Sequence, residues 1–285
     1  MSDLKLAVSE KLTYCTVRIE CILKDGSTST GTGFFFNFLE GNNRYLPTIV
    51  TNKHVVKDAV IGRIPITIQD SNGNPQTGSY FNVEVPDFER KCIFHPEDDV
   101  DLCVLPITFI LNTLESHGVK AYNLALTKAQ IPTAEDLNDL TALEEVIMIG
   151  YPNGIWDHVN NLPIVRSGVT ATHPNIDYQG RPEFMIDAAC FPGSSGSPVL
   201  LYNQGSYVSK SKGVLIGGTR LMLLGVLYAG PQHTASGEIK IVNIPTRQEP
   251  VVISRVPNNL GLIIKSRKII EFEEILRNLI AEKNK

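Results

Sequence analysis

Phe191-Pro192-Gly193-Ser194-Ser195-Gly196-Ser197-Pro198-Val199 places a Ser between two glycines and then runs into an apolar stretch. Glycine on both sides permits backbone angles that a residue with a Cβ resists. Such a turn can present a hydroxyl and aim successive backbone N–H groups into one small concavity. Acyl transfer needs that pairing of a reachable nucleophile with donors for an oxyanion. A plain tight loop has a similar composition, so the reading depends on what else the chain carries. Two upstream segments supply it. Thr48-Ile49-Val50-Thr51-Asn52-Lys53-His54-Val55-Val56 is a β-rich run with a His near its end, and Asp98-Asp99-Val100-Asp101-Leu102-Cys103-Val104-Leu105 opens an apolar strand with an acidic cluster. A lone His or a lone Asp before a strand is ordinarily structural. Their order ahead of the Ser turn is what raises the reading above that.

With those residues in place the chain resembles a chymotrypsin-fold serine protease, nearer to the HtrA-type and bacterial trypsin-like peptidases than to secreted digestive enzymes. The resemblance runs from about residue 14 to 266. Gly31-Thr32-Gly33-Phe34-Phe35 resembles the early Gly-x-Gly-aromatic strand, and Thr51-Asn52-Lys53-His54 the Thr-x-x-His motif. Asp101-Leu102-Cys103-Val104-Leu105 resembles the Asp-Leu-x-Val-Leu segment, and Gly193-Ser194-Ser195-Gly196-Ser197-Pro198 the nucleophile motif. Gly225-Val226-Leu227-Tyr228-Ala229-Gly230 is similar to the strand that binds substrate backbone. The resemblance implies an all-β fold of two six-stranded Greek-key β-barrels. It also implies catalysis by His54, Asp101 and Ser195, with the backbone N–H groups of Gly193 and Ser195 as oxyanion hole. Asp98 and Asp99 are rival carboxylates, though their place before the apolar strand suits solvated loop charges.

Composition sets limits. The 285 residues are 42% apolar and 20% charged, ordinary globular values, with a net charge of −4 and no Lys/Arg run, which gives no case for nucleic acid. No stretch is apolar over the ~18–20 residues that span a bilayer, so no membrane segment is expected. The first residues lack the basic start, apolar centre and small-residue cleavage site of a signal peptide. Five cysteines (Cys15, Cys21, Cys92, Cys103, Cys190) form no paired spacing, which points to reduced thiols and a cytoplasmic location. Cys92 and His95 lack a second ligand pair, so no metal and no cofactor are expected.

Along the chain, apolar and polar residues alternate over 16–23, and short strands are expected near 32–37, 47–51, 64–69, 80–85 and 102–107, separated by Gly/Asn/Asp turns. Residues 1–12 read as a short helix. Residues 1–107 are read as an N-terminal barrel carrying His54 and Asp101, and 108–144 as a linker with helices over 109–119 and 133–145. Residues 145–266 are read as a C-terminal barrel carrying Ser195, with strands near 145–150, 164–172, 183–188, 198–202, 213–217, 222–228 and 260–265. Residues 231–258 read as an irregular insertion. Ser266 is placed to cap a C-terminal amphipathic helix over 267–285, where Ile269, Phe272, Ile275, Leu276, Leu279 and Ile280 repeat at helical spacing.

The digestive enzymes carry an Asp immediately before the nucleophile, which pairs with an N-terminus freed by cleavage. Ser194 stands there, so no propeptide cleavage is expected. By resemblance the primary pocket is formed by Tyr228, Ala229 and Gly230, with Ala189 at its base and Gly261 near its far wall. A pocket for Lys or Arg wants a buried carboxylate at that base. Ala189 offers none, and a small or medium apolar P1 side chain is expected. His158 and His173 are read as non-catalytic. The leading reading is a serine endopeptidase acting on polypeptides through an acyl-enzyme. The alternatives are a catalytically silent peptide-binding module on the same fold and a latent protease opened by a regulatory protein partner. An esterase is disfavoured, because the Gly-x-Ser-x-Gly elbow of α/β-hydrolases is not met.

Overall fold

The computed structural model of the chain describes residues 6–41, 44–238, 251–257 and 259–283. Its first half is one antiparallel sheet. The strands are β1 (Thr16–Leu23), β2 (Thr28–Gly41), β3 (Arg44–Thr51), β4 (Ala59–Gln69), β5 (Pro75–Pro86), β6 (Ile93–Phe94) and β7 (Cys103–Pro106), in the order β5-β4-β1-β2-β3-β7-β6. Six of them match the expected barrel, and the seventh, β6, is a two-residue edge. Alternation decides the faces: Val17, Ile19 and Cys21 on β1 point inward. Ile64 and Val83 from one end of the sheet share a single apolar cluster with Cys103 and Leu105 from the other, so the sheet is rolled around its core.

Helices fill the connections. They are α1 (Val8–Leu12), α2 (Lys53–Val56), α3 (Phe88–Lys91), α4 (Thr108–Ser116) and α5 (Ala134–Asp139). Thr133 caps α5, its hydroxyl accepting from Asp136 N–H. The helix expected over 133–145 stops at Asp139, because Leu140 is extended and buried and Glu144 turns back to accept from the Thr141 N–H.

The second half holds a closed barrel. β8 (Glu145–Gly150), β9 (Ile164–Thr170), β10 (Glu183–Asp187), β11 (Pro198–Asn203), β14 (Arg220–Ala229) and β17 (Leu260–Lys265) close in the order β10-β17-β14-β11-β8-β9. Two hairpins project from it, β12 (Ser206–Ser209) with β13 (Val214–Gly217), and β15 (Gln232–Glu238) with β16 (Val251–Pro257). The second corrects the irregular reading of 231–258: Val251, Val252, Ile253 and Val256 favour strand, and they pair with 232–238. Pro245 and Pro250 of that segment lie outside the described residues.

The two halves meet through a further apolar cluster. Phe34, Phe36 and Val50 from the first half pack with Leu200, Leu223 and Val226 from the second. The C-terminal segment seals this seam with Ile269, Phe272 and Leu276. It is broken into α6 (Arg267–Ile270) and α7 (Phe272–Lys283) at Glu271, and the cap expected at Ser266 is not made, since Ser266 is itself helical and its side chain caps nothing. Among the described residues no helix is long and apolar enough to cross a membrane.

Candidate active site

β3 ends at Thr51, and the next residues bind the chain to the segment that carries Asp101 into β7. Asn52 is fully buried, and its Nδ2 donates to the Asp101 carbonyl at 2.7 Å. The single turn of α2 follows, anchored by buried Val55 and Val56, which leaves the His54 side chain about half exposed at the seam. Asp101 holds His54 at two points. Oδ1 accepts the His54 backbone N–H at 3.0 Å, and Oδ2 lies 2.5 Å from Nδ1. Asp98 and Asp99 are exposed and make no hydrogen bond or ion pair with His54, whose ring pairs with Asp101.

The Ser195 turn is built on the two glycines. Gly193 and Gly196 have φ of +82° and +88°, the region where a Cβ is strained. Between them Ser194 points inward, fully buried, while Ser195 is partly exposed. Thr32 of β2 stitches this turn to the first half. Its N–H donates to the Ser195 carbonyl at 2.8 Å, and its Oγ1 donates to the Gly193 carbonyl at 3.0 Å. Thr51 Oγ1 in turn donates to the Thr32 carbonyl at 2.7 Å. A Cβ on Gly196 would lie 2.7 Å from that same Thr51 oxygen. The Ser turn thus abuts the end of β3, three residues before His54. Neither His54 Nε2 nor Ser195 Oγ makes a hydrogen bond to any described residue.

Two amide donors in the turn are open. Neither the Gly193 N–H nor the Ser195 N–H has a hydrogen-bond partner among the described residues. The Pro192 carbonyl accepts from the Asn153 N–H at 2.5 Å. Because the peptide is trans, its C=O and N–H point in opposite directions, so the Gly193 N–H faces away from the Asn153 loop.

A cleft of about 340 Å³ adjoins Ser195, lined by Leu227, Tyr228, Ala229, Gly230 and the 190–192 segment. Ala189 and Gly261, expected at the base and far wall of the pocket, are not among the residues lining it. A Cβ at Gly261 would press on Cys190 Sγ and Leu227, each at 2.7 Å. Tyr228 donates to Glu183 Oε1 at 2.9 Å, and burial together with that carboxylate pushes its phenol up to about 12. Burial likewise pushes the Cys190 thiol up to about 11, which keeps it protonated and inert at neutral pH.

Behind the turn stands Arg166, which donates to both the Ala189 carbonyl and Ser194 Oγ. It sits in a strand, where alternation alone gave no reason to single it out. Thr32 and Asn52 were equally silent in the sequence, since their role is a contact with chain 49–163 residues away. A third cluster, His95, Glu97 and Glu271, has carboxylates and an imidazole close enough to hold a metal. Lys268 bonds both carboxylates there, so their charge is met by an ammonium, and His95 Nε2 meets Glu271 at 3.0 Å.

The two-barrel fold is of chymotrypsin-like architecture, and the family the chain matches makes it a serine-type endopeptidase. The family model for the trypsin-like peptidase domain matches residues 31–208, and the chain belongs to that family. The match contains His54, Asp101 and Ser195. Among solved structures the chain is similar to the serine endoprotease from Yersinia pestis, with 16% identity and a TM-score of 0.46 over 96% of this chain and 68% of that one. It is also similar to the active form of the Rv3671c protease from M. tuberculosis, with 14% identity and a TM-score of 0.41 over 90% of this chain and 78% of that one. No curated protein matches the chain.

Proposed function

We propose that this chain hydrolyses peptide bonds with His54, Asp101 and Ser195 as a catalytic triad. The observation that carries the reading is the two-point hold of Asp101 on His54. A carboxylate on Nδ1 keeps the proton on that nitrogen and leaves Nε2 as an acceptor. Nε2 then takes the Ser195 proton as Oγ attacks the substrate carbonyl carbon. The tetrahedral oxyanion is received by the open N–H groups of Gly193 and Ser195. The imidazolium returns its proton to the leaving amine, an ester to Ser195 remains, and water activated by the same Nε2 releases the acid. The His54–Ser195 bond forms with substrate in place, as such bonds often lengthen in the free enzyme.

Residues 1–107 and 145–266 act as the two barrels of this cleft, with 108–144 as linker. Leu227, Ala229 and the Gly230 backbone beside Ser195 suit a small or medium apolar P1 side chain. Five free thiols support a reducing compartment such as the cytoplasm. The test is labelling by a fluorophosphonate probe and cleavage of a peptide library, wild type against Ser195→Ala. The expected result is labelling and cleavage that vanish together in a variant with an unchanged melting temperature. A wild-type chain that binds peptides but neither labels nor cleaves would instead be a peptide-binding module.

A further inference from the structure

Arg166 lies on β9 opposite Met148 of β8, between exposed Val165 and Ser167. Alternation turns it to the same face as Gly168. A Cβ on Gly168 would collide with the Asp187 carbonyl and lie 2.7 Å from the Ala188 Cβ. Only with glycine there does β9 lie flush on the 187–188 backbone, which brings the Arg166 head to the residues that follow. One nitrogen, Nη1, donates to the Ala189 carbonyl at 2.6 Å and to Ser194 Oγ at 2.8 Å. Nε and Nη2 are sealed from solvent and have no hydrogen-bond partner among the described residues. No carboxylate among the described residues pairs with this guanidinium.

A buried cation without a counter-charge is costly, and a well-packed apolar side chain is often more stable in its place. Stability therefore does not account for Arg166. Its position does. Ala189 and Ser194 are the two ends of the turn that carries the Gly193 amide and runs into that of Ser195. The front of that turn is held by Thr32 and Asn153. Its back is held by Arg166. Arg166 is not among the residues lining the cleft, and its Nε and Nη2 are shut off from solvent.

We propose that Arg166 is a positioning residue for peptide hydrolysis: one guanidinium nitrogen clamps both ends of the 189–194 turn and so holds the oxyanion-binding amides in their receiving geometry. The inference rests on the triad reading above. A strand gives the clamp a rigid base that a loop residue would lack. The charge strengthens both hydrogen bonds relative to neutral donors.

The test uses the full chain with Arg166→Met, Arg166→Lys, Ser194→Ala and the two double variants. Arg166→Met keeps the reach and removes the donors. We expect it to lower kcat by about 10²-fold, the scale of a lost oxyanion donor, with KM nearly unchanged. Affinity for a peptide aldehyde, whose hemiacetal places an oxyanion at the same amides, falls in parallel with kcat. Arg166→Lys, which keeps charge and donors, recovers part of the loss. Ser194→Ala lowers kcat less, and adds almost nothing to Arg166→Met, because the shared bond is already gone. If Arg166→Met is unfolded, the Arg166→Lys and Ser194→Ala cycle provides the same comparison. Unchanged kcat and aldehyde affinity in folded Arg166→Met, or effects that multiply fully with Ser194→Ala, overturn the proposal. A wild type that labels normally confines that failure to Arg166. A wild type that never labels sinks the triad reading, and this inference with it.

Discussion

Replacing Asp101 by Asn changes one atom type and should nearly silence the enzyme. The reason lies in the two bonds to His54. The oxygen that accepts the His54 backbone N–H must remain an acceptor, because a backbone N–H can only donate. In Asp101→Asn that position keeps the amide oxygen, and the NH₂ is forced to face Nδ1. Nδ1 must then accept, so the single imidazole proton moves to Nε2, the nitrogen that should receive the Ser195 proton. The variant loses a hydrogen bond to a charged group, about 1.5–3 kcal/mol, and must also leave its preferred tautomer to react. In triads of this kind the combined loss is about 10⁴ in kcat, or roughly 5.4 kcal/mol at 1.36 kcal/mol per tenfold. The fold should survive, because Asn52 bonds the backbone carbonyl of residue 101 and not its side chain. The assay is kcat on a fluorogenic peptide, the rate of fluorophosphonate labelling, and the melting temperature. A folded Asp101→Asn protein with kcat within about tenfold of wild type would refute the tautomer argument and the role given to Asp101.

Gly196→Ala should disrupt the seam between the halves, because φ is +88° and the new Cβ meets the Thr32 carbonyl and Thr51 Oγ1. The strain alone costs about 1–3 kcal/mol, and chemical denaturation should show a lower midpoint together with lost activity. Phe272→Ala removes a fully buried ring from the seam beneath α7 and should cost about 3–5 kcal/mol, read as a drop in unfolding free energy. Asp177 gives a pH test. Burial pushes its carboxyl up, but bonds from Lys265 and Arg267, each at 2.7 Å, outweigh that and hold it below the usual range. A depressed folded-state pKa contributes stability that is complete above the unfolded value of about 4 and is lost as pH falls through the folded one. Asp177→Asn should therefore lower the melting temperature at pH 7, with a gap from wild type that closes toward pH 3. A gap that stays constant over that range contradicts the assignment.

Much of the architecture was legible because it is written in local pattern. Alternation over 16–23 gave β1, Thr133 gave the start of α5, and the apolar repeat from Ile269 to Leu276 gave the helical face that closes the seam. The misreadings share a cause. Residues 133–145 carry helical propensity, but Leu140 is drawn into the second barrel's core and Glu144 into an ion pair with Arg220. Ser266 is a good cap by residue type, yet the backbone from β17 enters α6 already helical. The 231–258 segment reads as loop by its prolines, and its described flanks pair with each other as strands.

The sequence by itself determined which side chains can carry the chemistry: a His, three neighbouring carboxylates and a Ser between glycines, in an order shared with a known family. Only the tertiary structure decided that Asp101, not Asp98 or Asp99, touches the imidazole, and that Thr32, Asn153 and Arg166 grip the Ser195 turn. Residue type and short-range alternation are properties of neighbours in the chain. A hydrogen bond between Thr32 and Ser195 exists only once the two halves have been pressed together, and one between Arg166 and Ser194 only once the second barrel has closed; no local pattern encodes where those edges meet.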